Sequence, residues 1–117
     1  MRRLGVGLGV VRRYIFAKLK TEHATGLKRV QLLQTAKEVL HAAYGVQGLH
    51  IGYAADDDTR QAWDLCITME YVSNVDLERS SKDAVTRAFL KSFLGPRAEA
   101  VWSASFEGET VGPRRLR

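Results

Sequence analysis

The chain has 117 residues, of which 45% are hydrophobic and 26% charged, a composition typical of one globular domain and not of a disordered chain. Its single cysteine, Cys66, excludes an internal disulfide framework, and no Cys/His spacing matches a structural zinc site. No apolar run approaches the ~18 residues of a membrane-spanning helix. We therefore expect a cytoplasmic protein without a membrane partner.

The formal net charge of +5 is concentrated at the two ends of the chain. Five of the 18 basic residues lie in 1–9 and 113–117, which contain no acidic residue, so the segment between them carries 13 side chains of each sign. A nucleic-acid-binding module usually has a basic stripe on its folded surface. We predict a flexible basic leader at 1–9, a folded domain at 10–107, a basic tail at 108–117 and no nucleic-acid partner.

The first half of the chain predicts a strand, a helix and a second strand. Period-2 alternation predicts the first strand over 10–20. A helix follows over 24–44 and ends at Gly45. A short strand occupies 49–53, and the acidic segment 54–61 is interpreted as a solvent-exposed loop. The apolar stripe of the helix consists of Val30, Leu33, Ala36, Leu40, Ala43 and Tyr44.

The second half predicts a strand, a helix and a last strand. The strand has the clearest period-2 alternation of the chain, and the helix is stopped by a Gly-Pro pair. The predicted elements are a strand at 63–71, a helical turn around 76–78 with Ser73 or Asn74 as N-cap, a helix at 82–94 and a strand at 100–106. This β-α-β-β-α-β order predicts an α+β, ferredoxin-like sandwich: a four-stranded antiparallel sheet with two main helices on one face.

The strands of this sheet are apolar on both faces. On one face the side chains are suited to a helix-covered core: Ile15, Leu19, Trp63, Leu65, Ile67, Met69 and Val101. On the other face lie four aromatic side chains: Tyr14, Phe16, Trp102 and Phe106. Two helices cover only one face of such a sheet, and each aromatic side chain can bury ~150–250 Å². We therefore expect the second face to be an interface.

Three coverings would shield this aromatic face: a second copy of the sheet, a nucleic acid stacked on the rings, or a different protein. RNA-recognition domains share the topology, but their third-strand consensus is absent from 63–71. Asp64 and Glu70 would also repel phosphates from the same surface. We therefore predict a homodimer through the sheet face, with His50 and Cys66 as further interface residues.

His50 has two interpretations on the second strand. It is an interface hydrogen-bonding residue, or it pairs with Glu70 or Asp64 as an acid/base. The three histidines have no metal-ligand spacing, and the glycine-rich segment 5–9 precedes a strand, whereas a dinucleotide fingerprint follows one. We predict neither a metal nor a cofactor.

The segments Val11–Lys20 and Trp63–Ser73, with the spacing from Ala84 to Phe106, resemble the stress-responsive dimeric A/B-barrel (Dabb) family. The resemblance implies a ferredoxin-like protomer whose sheet pairs with a second copy to form a dimeric α/β barrel. The family includes a plant polyketide cyclase with one histidine in the first strand and others in a His-Pro-x-His segment. Here Arg13 occupies the first position and the second segment is Ser80–Ala84, so the resemblance does not carry the cyclase mechanism over.

Small and polar residues on the helix side of the sheet predict a small-molecule pocket. Its candidate residues are Arg13, Ala17, Ile67, Ser103 and Ser105. Arg13 would hold a carboxylate, phenolate or enolate of an aromatic or polyketide-like ligand. In the alternative interpretation, large helix side chains such as Phe89 and Phe93 fill the space and Arg13 extends to solvent.

Two functions follow from these expectations. The first is a homodimeric, small-ligand-binding or stress-associated domain without an assigned catalytic residue. The alternative is a cofactor-independent cyclase, isomerase or monooxygenase that acts on a polyketide-like or aromatic small molecule in the same pocket. The missing histidines favour the first function.

Overall fold

The computed structural model describes residues 10–109, so the predicted leader and most of the predicted tail lie outside the described residues. In chain order the elements are β1 (Val10–Leu19), a 3-10 turn (Thr21–His23), α1 (Gly26–His41), β2 (Gly48–Tyr53), α2 (Asp57–Ala62), β3 (Leu65–Tyr71), α3 (Asn74–Lys82), α4 (Ala84–Ala88), a π-helical turn (Phe89–Leu94), a final helical turn (Gly95–Arg97) and β4 (Ala98–Gly108). Among the described residues, no helix combines the length and apolar character needed to cross a membrane.

The strands form one four-stranded antiparallel sheet in the order β2-β3-β1-β4. β1 lies between β3 and β4, and Ile15 is paired with Ile67 on one side and Ser103 on the other. Because side chains alternate between the two faces of a strand, this register places the three residues on the same, helix-covered side. The predicted α+β, ferredoxin-like class is confirmed.

The helix-covered face of β1 and β3 forms the core of the domain. Alternate residues of both strands are buried, and α1 and the π-helical turn pack on them. The buried side chains are Val11, Ile15, Ala17, Leu19, Leu32, Ala36, Leu40, Ala43, Leu65, Ile67, Met69, Tyr71, Phe89 and Leu94. The period-2 prediction of the buried face is therefore correct for β1, and for the other strand it is correct from Leu65 onward.

The apolar stripe predicted for α1 is partly wrong. Leu32, Ala36 and Leu40 are buried, whereas Val30 is 58% exposed and Tyr44 46% exposed. The buried positions are four residues apart and form one narrow row along the helix. Val30 and Tyr44 lie outside that row and remain at the protein surface. The predicted end of the helix at Gly45 is wrong, because α1 ends at His41 with Ala42 as its C-cap. Gly45 lies in the connection to β2, where its φ of 77° is in the left-handed region that favours glycine.

The acidic segment interpreted as a loop contains α2. Asp56 is its N-cap, and its side chain accepts a hydrogen bond from the Thr59 backbone N–H at 2.7 Å. Hydrogen bonds from the backbone and the side chain of Thr59 hold the pKa of Asp56 below its ordinary value. Asp57 and Asp58 occupy the first turn, where their negative charges interact favourably with the positive end of the helix dipole. The acidic run is therefore the start of a helix.

The segment predicted as one helix over 82–94 is divided at Asp83, and the predicted Gly-Pro stop is wrong, because helical backbone continues through it to Arg97. Asp83 has an extended ψ of 136°, which ends α3 and begins α4, and its side chain accepts a hydrogen bond from the Thr86 backbone N–H. The π-helical turn then completes the segment up to Leu94. Upstream, the short turn predicted around 76–78 is the nine-residue α3, with Ser73 as its N-cap.

Two residues assigned to the core lie elsewhere. Trp63 precedes β3 and packs beside Phe16 on the uncovered face, with ring centroids 5.7 Å apart. The alternation stops at Asp64, because its carboxylate accepts a hydrogen bond from the Leu19 backbone N–H and its own N–H donates to the Ala17 carbonyl. Val101 faces the helix side but is 43% exposed, since β4 is an edge strand and extends beyond the helices.

Candidate functional site

The face of the sheet opposite the helices, here called the open face, carries every residue predicted for the dimer interface. Tyr14 is paired with Thr68 and Ala104, and Phe16 with Cys66 and Trp102. The remaining predicted positions follow from the same register on the outer strands. They are His50 on β2 and Phe106 on β4.

An aromatic ridge covers the β1–β4 half of the open face. It consists of Tyr14, Phe16, Trp63, Trp102 and Phe106. Phe16 lies between the two tryptophans, 5.7 Å from Trp63 and 5.6 Å from Trp102, and Tyr14 meets Phe106 edge-on at 5.9 Å. Trp102 is 52% exposed and Phe106 is 61% exposed. Connected aromatic side chains at this exposure form an apolar patch of the kind that marks an interface.

The β2–β3 half of the open face is a hollow, formed by Gly48, His50, Gly52, Cys66 and Thr68. Two clefts of about 400 Å³ each lie over it and meet at His50 and Thr68. Glycine keeps the hollow open, since a Cβ at Gly52 would come within 3.3 Å of the His50 ring. The open face therefore has an aromatic half that projects and a small-residue half that recedes.

The two carboxylates predicted as partners of His50, those of Glu70 and Asp64, are hydrogen-bonded to other groups. Glu70 accepts hydrogen bonds from Arg12 Nε at 2.9 Å and Gln47 Nε2 at 3.4 Å. The hydrogen bond with Glu70 raises the pKa of Arg12. Asp64 accepts from the backbone of Leu19 and lies at the far end of β3. His50 shares a cleft with Glu70, but the described hydrogen bonds of Glu70 do not orient it as a partner for the imidazole.

On the helix side, Arg13 lies at the boundary between the covered core and the exposed strand β4. Its Nε donates a hydrogen bond to Ser103 Oγ at 3.1 Å. Its Nη1 is buried and has no hydrogen-bond partner among residues 10–109. Ser105 is the residue of β4 that pairs directly with Arg13. The structure thus brings together three of the five residues predicted for the pocket: Arg13, Ser103 and Ser105.

The other two predicted pocket residues lie within the core. Ala17 and Ile67 are completely buried and belong to the packed cluster between sheet and helices. Phe89, which the alternative interpretation placed in this space, is part of the same cluster. Arg13 lies beside this packed region, at the edge facing β4.

A buried hydroxyl pair adjoins Arg13 and was not predicted from the sequence. Tyr71 and Ser80 have no exposed surface, and their hydroxyl oxygens are 2.9 Å apart. Arg13 pairs with Met69, which places Tyr71 one pair further along the same face. Burial raises the pKa of Tyr71, while the Ser80 hydrogen bond and the charge of Arg13 oppose this shift. Thr86 Oγ1 is a further buried oxygen without a hydrogen-bond partner within the described part of the chain.

Comparison with known proteins shows which solved structures share this fold. No family model and no curated protein matches the sequence. Among solved structures, a Dabb family protein from Mesorhizobium loti with a ferredoxin-like fold aligns with a TM-score of 0.72 at 19% identity, covering 89% of this chain and 99% of that chain. The chain has the fold of a Dabb family protein. The predicted resemblance is confirmed at the level of the fold.

Two further solved structures are similar over most of the chain. A hydroxynitrile lyase from Passiflora edulis has a TM-score of 0.69 at 15% identity, over 89% of this chain and 97% of that chain. A dimeric ferredoxin-like protein of unknown function from Thermobifida fusca has a TM-score of 0.64 at 13% identity, over 84% and 90%. The fold therefore occurs in an enzyme and in a dimer, and at these identities the likeness is one of fold alone.

Proposed function

We propose that this chain is a homodimeric small-molecule-binding domain in which each protomer binds an anionic aromatic or polyketide-like ligand beside Arg13. The observation that carries the proposal is the Arg13 guanidinium, whose Nη1 is buried without a hydrogen-bond partner among the described residues. A buried donor left in this state costs about 1–3 kcal/mol, and more when it is charged. A ligand oxyanion that accepts from Nη1 removes this cost.

The surroundings of Arg13 suit such a ligand. Ser103 holds the guanidinium through Nε and thereby fixes the direction of its other donors. A planar guanidinium recognises a carboxylate through two parallel hydrogen bonds. Ser105 on the exposed side of β4 is available for a second polar contact. The ligand would enter along β4, where the helix side of the sheet is exposed.

The homodimer of the proposal forms through the open face. Apart from Trp63, which precedes β3, the aromatic ridge lies on β1 and β4, and the hollow lies on β2 and β3. A twofold axis between them would place each ridge in the hollow of the other copy. Such an isologous arrangement covers Trp102 and Phe106, the two most exposed side chains of the ridge, without any further secondary-structure element. The dimeric Thermobifida fusca protein of the same fold supports formation of a homodimer.

A matched pair of ligands tests the Arg13 site. Salicylate carries a carboxylate and 2-hydroxybenzamide is its neutral analogue, and thermal unfolding is followed with each. Salicylate at 100 times its Kd stabilises the protein by about 2.7 kcal/mol, which raises the Tm by several degrees at this size. We expect no shift with the amide.

Two variants distinguish binding at Arg13 from a general effect of the protein's positive charge. Arg13→Gln removes the cation and should abolish the salicylate shift, whereas Arg87→Gln, at an exposed position of α4, should retain it. An equal response of both variants, or a shift of the same size with the neutral amide, contradicts the proposal.

A second candidate function rests on the hydroxyl of Tyr71. It is hydrogen-bonded to Ser80 and lies near the charge of Arg13. Because the hydroxyl is completely buried, a ligand that enters beside Arg13 would have to uncover it before it could transfer a proton. This arrangement favours the cofactor-independent cyclase or isomerase over the monooxygenase, because a proton-transferring group can assist cyclisation or isomerisation, whereas a monooxygenase must also activate molecular oxygen. If the protein is such an enzyme, Tyr71→Phe abolishes turnover of a substrate that Arg13 still binds.

A further inference from the structure

A second cleft lies on the helix layer, away from the open face and from Arg13. It has a volume of about 490 Å³ and lies between the 3-10 turn, the first half of α1 and the end of the π-helical turn. Its polar and aromatic lining comprises His23, Lys28, Gln31, Thr35, Phe93 and Arg97. None of the residues that line it is acidic. The cleft therefore combines positive charge with neutral hydrogen-bonding groups.

Arg97 is held in position at one wall of this cleft. Its guanidinium carbon lies 4.0 Å above the centre of the Phe93 ring, and its Nη1 donates to the Phe93 carbonyl at 2.8 Å. Its backbone carbonyl accepts from the N–H of Lys20, at the start of the 3-10 turn, at 2.9 Å. A guanidinium has five N–H donors in a fixed plane, and these contacts orient the group without using most of them.

The opposite wall is the N-terminal half of α1. Lys28, Gln31 and Thr35 follow the i, i+3, i+7 spacing that places side chains on one face of a helix. The first turn of this 16-residue helix has no acidic residue, and the N-cap Thr25 makes no side-chain capping hydrogen bond. The positive end of the helix dipole thus adds to the charge of Lys28.

We propose that this cleft binds a small phosphate monoester, with its phosphate between Lys28 and Arg97. Two permanent cations, with His23 beside them, match the double charge of a phosphate better than the single charge of a carboxylate. The N-terminal end of a helix attracts a phosphate, and an arginine recognises phosphate oxygens through paired N–H donors. The cleft volume of about 490 Å³ is many times the ~30 Å³ that a water molecule takes, so it leaves space for an organic group beside the phosphate. The remaining space adjoins the apolar side chains Leu32 and Phe93, which would contact the organic group.

Titration of the full chain with phenyl phosphate tests the proposal, with inorganic phosphate and benzoate as comparison ligands. Binding is followed by the amide resonances in an NMR spectrum of the labelled protein. We expect saturable shifts at His23–Lys28 and Gly95–Arg97, and weaker binding of benzoate. Lys28→Gln should weaken phenyl phosphate binding about tenfold, which corresponds to the loss of ~1.4 kcal/mol.

Lys37→Gln is the matched control, because Lys37 is an exposed lysine of the same helix that does not line the cleft. Its shifts at His23–Lys28 with phenyl phosphate should match those of the unaltered chain. Lys28 is itself exposed, so its replacement leaves the fold intact. Any of four results would overturn the proposal: equal weakening by Lys28→Gln and Lys37→Gln, shifts confined to the surroundings of Arg13, binding of benzoate at His23–Lys28 as tight as that of phenyl phosphate, or no saturable shift at these residues.

Discussion

Replacing Trp102 with alanine tests whether the open face of the sheet is a dimer interface. The side chain is 52% exposed in the single protomer. With ~250 Å² for a tryptophan, this exposed fraction is about 130 Å², worth about 3 kcal/mol at ~25 cal/mol per Å² when a partner covers it. A twofold dimer buries the residue in both copies, which doubles the figure to about 6 kcal/mol.

Only part of this energy appears in the measured affinity, because association costs translational and rotational freedom and the packing is imperfect. We therefore expect Trp102→Ala to raise the dimer dissociation constant at least ~100-fold, about 2.7 kcal/mol. Sedimentation velocity over a concentration series measures it. Leu27→Ala removes another exposed apolar side chain, 69% accessible on α1, and should leave the constant unchanged. A monomeric unaltered protein at micromolar concentration, or equal constants for both variants, would refute the assignment of the open face.

Three further predictions concern the protomer itself. Ile67→Ala, at a completely buried position, should lower the free energy of unfolding in urea by about 2–5 kcal/mol; a loss below 1 kcal/mol would contradict the packed core. Tyr71→Phe removes the hydrogen bond to Ser80 and should cost about 1–3 kcal/mol in the same assay, whereas Tyr44→Phe, at an exposed position, should cost much less. The pKa of Asp56 is lower in the folded state, so its stabilising effect is present above the unfolded-state pKa and is lost as pH falls through the folded-state pKa. The stability difference between the unaltered chain and Asp56→Ala should therefore be constant near neutral pH and shrink below pH ~4; a difference that grows on acidification would refute this sign.

The two strands at the centre of the sheet are the part of the fold that the sequence predicts best. Alternation in β1 and β3 depends only on neighbouring residues, and it identified both the buried face and the aromatic face. The errors arise where a distant contact decides the local structure. Trp63 changes face because the carboxylate of Asp64 is bound by the backbone at the end of β1. Val101 is 43% exposed because the helices within residues 10–109 do not cover its part of the edge strand, and alternation within β4 cannot indicate this.

The candidate site was predictable to a smaller extent, and for the same reason. Arg13 was selected from its position on the helix side of β1, and the register places Ser103 and Ser105 beside it as expected. Tyr71 and Ser80 were missed because their hydrogen bond joins β3 to α3, and neither residue has a local pattern that marks it. In the sequence Tyr71 is one more apolar position of an alternating strand, and its hydroxyl becomes informative only when its neighbours in space are known.

Strand β4 connects the two proposed surfaces. Trp102 and Phe106 belong to the aromatic ridge, while Ser103 and Ser105 between them face Arg13 on the other side of the sheet. Since β4 is an edge strand paired only with β1 within the described residues, a second copy packed on the ridge would restrict its motion and that of the serines. Any such coupling must be reciprocal: a ligand beside Arg13 that favours the ordered strand would strengthen the dimer by the same factor. Weaker ligand binding in Trp102→Ala would therefore be consistent with the Arg13 site, provided that Arg13→Gln leaves the dimer intact in the absence of ligand.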